Sequence, residues 1–195
     1  MNKIIRYVSG VIILLLLGVI FLKTNHKGDY VVPFGLSAVL FLVLVMYVRP
    51  LKDLFPKVDL FQFGNENRRY LGWLMAIFAI IHGVLKVLQF KGFTPNKSWG
   101  EIVNLPFVSD YTGFIFWGII SAIVLVPIFL TSNSLAVQKL GKKWKLTQRL
   151  TYLLMVTVTI HLFLNPSMLS FVPLTIFILW LILWILAYFK SKKKV

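Results

Sequence analysis

YLGWLMAIFAIIHGVLKVL, Tyr70–Leu88, is the stretch that decides what kind of fold this chain can have. Its 19 residues include no Asp or Glu, and as a helix rising about 1.5 Å per residue it would be about 28 Å long, close to the hydrocarbon thickness of a bilayer. Five more apolar stretches share its character: Ile4–Leu22, Val31–Val48, Tyr111–Thr131, Leu150–Leu164 and Phe171–Phe189. Of these, Leu150–Leu164 is short for a crossing unless the amphipathic turn before Leu150 continues the helix. Composition points the same way. Hydrophobic residues make up 58% of the 195 and charged residues 14%, against about 45 to 50% and about 25% in a soluble domain. The expectation is an all-α integral membrane protein, a six-transmembrane-helix bundle in which residues 1–195 form a single transmembrane domain. Lys3 and Arg6 before the first run give it the look of a signal peptide, but Phe21, Leu22 and Lys23 stand where a small-residue cleavage site would be, so it reads as a retained helix.

Lys and Arg number 21 against six Asp and Glu, a formal charge of +15. In a soluble chain that excess would suggest nucleic-acid binding. Here the basic residues lie between apolar runs and orient the chain in the bilayer, so no nucleic-acid partner is expected. With the N-terminus inside, sixteen Lys and Arg fall on one side and only Lys23, Lys27, Lys86, Lys91 and Lys97 on the other. Both termini are therefore expected to be cytoplasmic. The basic tail after Phe189 reads as a flank for anionic lipid. The largest outer loop is expected from about Gln89 to Asp110, broken by Pro95, Gly100 and Pro106, with Phe93 and Trp99 suited to the interface.

The chain has no cysteine, which removes disulfides, iron–sulfur clusters and thiolate chemistry. No internal repeat, phosphate-cradling loop or nucleophile triad is visible. Asp29, Asp53, Asp59, Glu66, Glu101 and Asp110 are all read as loop residues, which disfavours a transporter that moves protons on an intramembrane acid.

Two of the three histidines lie inside apolar spans, where an ionisable ring costs free energy unless it is partnered. His82 is 12 residues into the third span, counted from Tyr70, and His161 is 11 residues into the fifth, counted from Leu150. At about 1.5 Å per residue both lie about 17 to 18 Å from the inner boundary. Two neutral imidazoles at one depth, with no thiolate and no buried carboxylate, suit the axial coordination of a b-type haem between the third and fifth helices. The plainer alternative is that each ring donates to a backbone carbonyl or to a Thr such as Thr157. Zinc or copper would need further ligands in these spans. Lys86 follows His82 by one turn on the same face and is a candidate partner for a haem propionate, or else it snorkels to the interface. His26, in KTNHKGD, reads as solvated loop.

NRRYLGWLMAIFAIIHG, Asn67–Gly83, and LTSNSLAVQKLGKKWKLTQRLTYLLMVTVTIHLFL, Leu130–Leu164, resemble the ferric-reductase-like transmembrane domain. Within that superfamily the chain is most similar to the YedZ-like proteins, the haem-binding subunits of periplasmic methionine-sulfoxide reductase systems. The likeness runs from about 35 to 189 and takes in VRPLKDL, Val48–Leu54, read as an element after the second helix. It implies a multi-pass protein of a bacterial-type inner membrane. Such a protein carries electrons from a cytoplasmic-side donor, a membrane quinol or a flavin reductase, to a periplasmic molybdopterin-type reductase. It also implies that His82 and His161 hold haem b, with FMN as a candidate second cofactor; Arg68, Arg69, Lys142, Lys143 and Arg149 are the candidate attractors of its phosphate or of an acidic partner. One departure matters: where the family usually has a further His, this chain has Gln148. Gln is not an ordinary axial ligand, and 13 or 14 residues before His82 stand Arg69 and Arg68, so one haem is expected. The competing functions are a stand-alone ferric or quinone reductase and a haem-free membrane scaffold in a larger complex. With no flavin and nicotinamide domain in this sequence, direct use of NADPH is not expected.

Overall fold

The computed structural model describes residues 13, 16–22, 30–93, 98, 112–165 and 171–192. Seven helices follow one another there: α1 Val31–Leu54, α2 Asp59–Glu66, α3 Arg68–Phe93, α4 Phe114–Leu130, α5 Ser134–Leu140, α6 Lys142–Phe163 and α7 Phe171–Lys192. Residues 16–22 of the first apolar stretch are also helical, and the remainder of that stretch, His26, and most of the expected outer loop lie outside the described residues. The chain divides into two compact units, one of residues 1–82 with 179–195 and one of residues 83–178.

In the first unit α1 supplies the core. Phe41, Leu42, Val45 and Met46 are buried, and the Phe41 ring stacks on Phe78 of α3 at 5.6 Å between centroids. The sequence suggested that the span ends at Val48 and that Asp53 lies in a loop; instead α1 continues through Pro50 to Leu54. A proline inside a helix removes the N–H that would serve the carbonyl four residues earlier. That carbonyl belongs to Met46, and the indole Nε1 of Trp180 in α7 donates to it at 3.2 Å. The lost bond is replaced from another helix, so the helix does not stop. At its end the Leu54 carbonyl accepts from Lys190 Nζ. Asp59 and Glu66 are likewise helical, at the two ends of α2. Gly64 lets α2 lie close on α1, since a Cβ there would stand 2.9 Å from a Val48 methyl.

The second unit is built on α4 and α6. The Ser121 hydroxyl lies 2.8 Å from the Trp117 carbonyl and 2.9 Å from Thr157 Oγ1, while Thr157 donates to the Leu154 carbonyl. These hydroxyls are buried and satisfied between the helices, an arrangement that holds helices together in lipid, where apolar burial gives no preference for helix over hydrocarbon. After α4 the chain turns by 85° into α5, whose N-cap is Asn133, its side chain accepting from the Ala136 N–H at 2.8 Å. Gly141, at φ +49°, makes the next turn into α6, a left-handed conformation open to glycine. Helix α6 begins at Lys142, eight residues before the apolar run, so the amphipathic turn does continue the fifth stretch.

Large apolar side chains face outward along the long helices, among them Ile77, Ile80 and Val84 on α3, Ile123 and Val126 on α4, and Leu179, Ile182 and Leu186 on α7. Apolar surface outside and hydroxyls inside is the distribution of a protein solvated by lipid. The protein is all-helical among the described residues and is a multi-pass membrane protein. Three helices there are individually long and apolar enough to cross, Val31–Leu54, Arg68–Gly92 and Phe171–Lys192, and α4 passes the same test only together with α5, from which it is bent by 85°. Helix α4 has 17 residues, and α6 is polar and basic over its first turns; these features separate the count by length and composition from the six apolar stretches of the sequence.

Candidate functional site

His82 reaches across to the first turn of α1. Its Nδ1 is 2.8 Å from the carbonyl oxygen of Val31, the first residue of that helix. A carbonyl only accepts, so Nδ1 is the donating nitrogen, which in a neutral imidazole puts the lone pair on Nε2. One turn further along α1 stands Gly35, and a Cβ built there would lie 2.8 Å from His82 Nδ1 and 2.9 Å from Cε1. The absence of a side chain at Gly35 makes room for the imidazole.

The second unit repeats the device. His161 Nδ1 is 2.6 Å from the carbonyl oxygen of Phe114, the first residue of α4. Gly118 is one turn on, and a Cβ there would lie 3.0 Å from His161 Nδ1 and 3.1 Å from Cε1. The Phe114 ring itself sits at 5.8 Å from the imidazole, centroid to centroid. Thr157, the alternative partner suggested by sequence, is instead engaged with Ser121 and Leu154. Both histidines therefore donate to a backbone carbonyl, as the plainer alternative held. Such a bond does not compete with ligation: a metal-bound His commonly donates its other ring N–H to a carbonyl, which fixes tautomer and ring direction. Each seat by itself, an imidazole whose Nδ1 is held by a carbonyl and whose edge lies against a glycine, has the chemistry of a haem-ligating histidine.

A second level lies further along each helix pair. Arg68 Nε donates to the Val45 carbonyl at 3.1 Å. Fourteen residues separate Arg68 from His82, and fourteen separate Val45 from Val31, so α1 and α3 run antiparallel with polar contacts at both ends. In the second unit Gln148 Nε2 lies 3.4 Å from the Ile128 carbonyl, 3.1 Å from Thr131 Oγ1 and 3.5 Å from Ser132 Oγ. Gln148 stands thirteen residues before His161 and Ile128 fourteen after Phe114, so α4 and α6 are also antiparallel. The Ile128 carbonyl is among the last of α4, which have no intrahelical donor; Gln148, with Ser132 Oγ at 2.6 Å, caps that end. Trp144 Nε1 adds a bond to the Thr131 carbonyl at 2.8 Å. Among the described residues no group of three or more His, Cys, Asp or Glu side chains gathers anywhere.

A sequence model of the family described as "Ferric reductase like transmembrane component" matches residues 29–159. The chain belongs to this family. The match takes in His82 and most of both helix pairs, and it ends two residues before His161. The chain is also similar to proteins named "Protein-methionine-sulfoxide reductase heme-binding subunit MsrQ". It is 31% identical over 131 residues to that of Brucella anthropi, covering 67% of this chain and 54% of the relative. For the Agrobacterium fabrum protein the figures are 28% over 149 residues, 76% and 64%, and for Brucella ovis 29% over 163 residues, 82% and 69%. The chain thus spans about half to two thirds of the length of these relatives. No solved structure matches it.

Lys86 is on α3 one turn beyond His82; its Nζ donates to Gln89 Oε1 at 3.0 Å and lies 5.0 Å from the Phe90 ring centroid. Arg69, Lys142, Lys143 and Arg149 are exposed, whereas Arg68 is partly buried against α1. The two glycines and the two helix-start carbonyls do not stand out in the sequence. A Gly four residues after the first residue of two different spans, VVPFG and FIFWG, was the available signal, and it becomes meaningful only once each span is matched with the histidine-bearing helix beside it.

Proposed function

We propose that this chain is a haem-binding membrane subunit that carries electrons across the bilayer to a methionine-sulfoxide-type reductase on the outer side. The observation that carries the reading is the repeated seat of His82 and His161: Nδ1 on a helix-start carbonyl and the ring against a glycine. The names of the similar proteins add the cofactor and the reductase system. In this reading His82 and His161 would hold one haem b, and Lys86 would be a partner for a propionate. The haem, when bound, supplies one-electron chemistry at iron. The chain's own residues hold and orient: Val31 and Phe114 fix the tautomer of each ligand, and the apolar helices exclude water. Arg68 and Gln148 donate to carbonyls and provide no second pair of ligands.

Residues 1–195 are read as one transmembrane domain of six spans in a bacterial-type inner membrane, with both termini cytoplasmic, on the basic asymmetry. The donor is a membrane quinol or a cytoplasmic flavin reductase, and the acceptor a periplasmic molybdopterin-type enzyme. FMN, if bound, would be attracted by the exposed Arg69, Lys142, Lys143 and Arg149.

The test is the detergent-purified protein. It should be red, with a low-spin b-type spectrum that changes on dithionite reduction. A colourless preparation that takes up no added haem would overturn the reading in favour of a scaffold.

A further inference from the structure

We propose that Gly35 and Gly118 are positioning residues for the axial imidazoles, and that their missing side chains, together with the Val31 and Phe114 carbonyls, set the rotation of each ring about its ligating axis. The inference rests on the reading of His82 and His161 as ligands. Two contacts define an imidazole's pose in each seat. The carbonyl pins Nδ1 at 2.8 Å in one and 2.6 Å in the other, and the glycine Cα side of the neighbouring helix supports the Nδ1–Cε1 edge. A pinned atom and a supported edge leave the ring little freedom to turn.

An added methyl acts directly on that pose. At Gly35 it would stand 2.8 and 2.9 Å from ring atoms, distances that real Cβ contacts essentially never show, so something in the seat must shift, and the imidazole held on Val31 is what the methyl meets. At Gly118 the distances of 3.0 and 3.1 Å are tight rather than forbidden, and a shift of the His161 ring by a few tenths of an ångström relieves them. The effect should therefore be larger at Gly35. Glycines on α3, the helix that carries His82, give the contrast: a Cβ at Gly72 or Gly83 meets nothing within 4 Å.

The experiment compares Gly35→Ala, Gly118→Ala, Gly72→Ala and His82→Ala in the purified haem-loaded protein. Bound haem is counted by pyridine haemochrome, and the ferric signal is recorded by electron paramagnetic resonance, whose low-spin g values report the orientation of the axial imidazole planes. Gly35→Ala should weaken haem binding about 10- to 100-fold, the cost of losing an outer-shell support, and any haem retained should show shifted g values or a high-spin signal. Gly118→Ala should keep its haem with a smaller g shift, and Gly72→Ala should match the wild type. A second arm separates positioning from helix packing. In haem-free protein, Gly35→Ala should lower the melting temperature when His82 is present and leave it unchanged in a His82→Ala background, because the clash is with the imidazole alone.

Unchanged haem content and g values in both Gly35→Ala and Gly118→Ala, with His82→Ala losing haem, would overturn the positioning role while leaving the ligand reading intact. The same melting cost in both backgrounds would also overturn it. Wild-type haem content and spectrum in His82→Ala would overturn the ligand reading and this inference together.

Discussion

Each antiparallel helix pair meets at two levels, and the levels use different chemistry. At one, His82 and His161 donate to the first carbonyls of α1 and α4. At the other, Arg68 and Gln148 donate to the Val45 and Ile128 carbonyls, thirteen or fourteen residues away along the same helices. All four contacts answer the same need, a polar side chain in an apolar setting finding a backbone acceptor. What differs is what remains afterwards. An imidazole that gives Nδ1–H to a carbonyl keeps a basic nitrogen for iron; a guanidinium has no acceptor atom, and an amide is not an ordinary axial ligand. A satisfied polar residue in a span is thus no sign of a cofactor by itself. What separates the levels is residue type: of these four side chains only the two histidines carry a ring nitrogen of the kind that ligates iron.

The largest effect is expected at the histidine level. His82→Ala and His161→Ala should each lose haem or turn it high-spin, whereas Gln148→Ala should keep a full low-spin spectrum; equal spectra in all three would erase the distinction drawn between the levels. A smaller effect is expected from Trp180→Phe. It leaves the Met46 carbonyl, deprived of its helical donor by Pro50, without the indole N–H, at a cost of about 1 to 3 kcal/mol for a buried acceptor. The apparent melting temperature in detergent should fall, and Pro50→Ala in the same chain should recover part of the loss by restoring an N–H. Gln148→Ala should cost least, about 0.5 to 1.5 kcal/mol, because Ser132 Oγ still serves the Ile128 carbonyl.

The apolar runs and the helical character of the stretches around His82 and His161 were legible in the sequence, because hydrophobicity and residue type are local properties. The continuation of α1 past Pro50 was not. It depends on Trp180, 130 residues further on, and no local pattern around Pro50 announces a donor so remote. Asp53 is helical for that reason, whereas Asp59 and Glu66 belong to the separate eight-residue helix α2, too short and polar to stand out between the apolar runs. The start of α6 at Lys142 was half legible: the amphipathic turn was visible, but whether it joined the helix depended on Gly141 taking a positive φ. The depth match of the histidines was counted from apolar boundaries; from the observed helix starts His82 is fourteen residues in and His161 nineteen. The firmer correspondence is structural, each ring lying level with the first turn of the helix it touches. Gly35 and Gly118 were hidden because a glycine's role here is the space it leaves for a ring on another helix.

Haem count per chain tests the central claim most directly. A pyridine haemochrome assay on the purified, fully loaded protein, set against quantitative amino-acid analysis, should give close to one haem per chain, as expected if the histidine level binds and the Arg68 and Gln148 level does not. Two haems per chain would contradict the account at the second level, and none, after loading with added haem, would contradict it at the first.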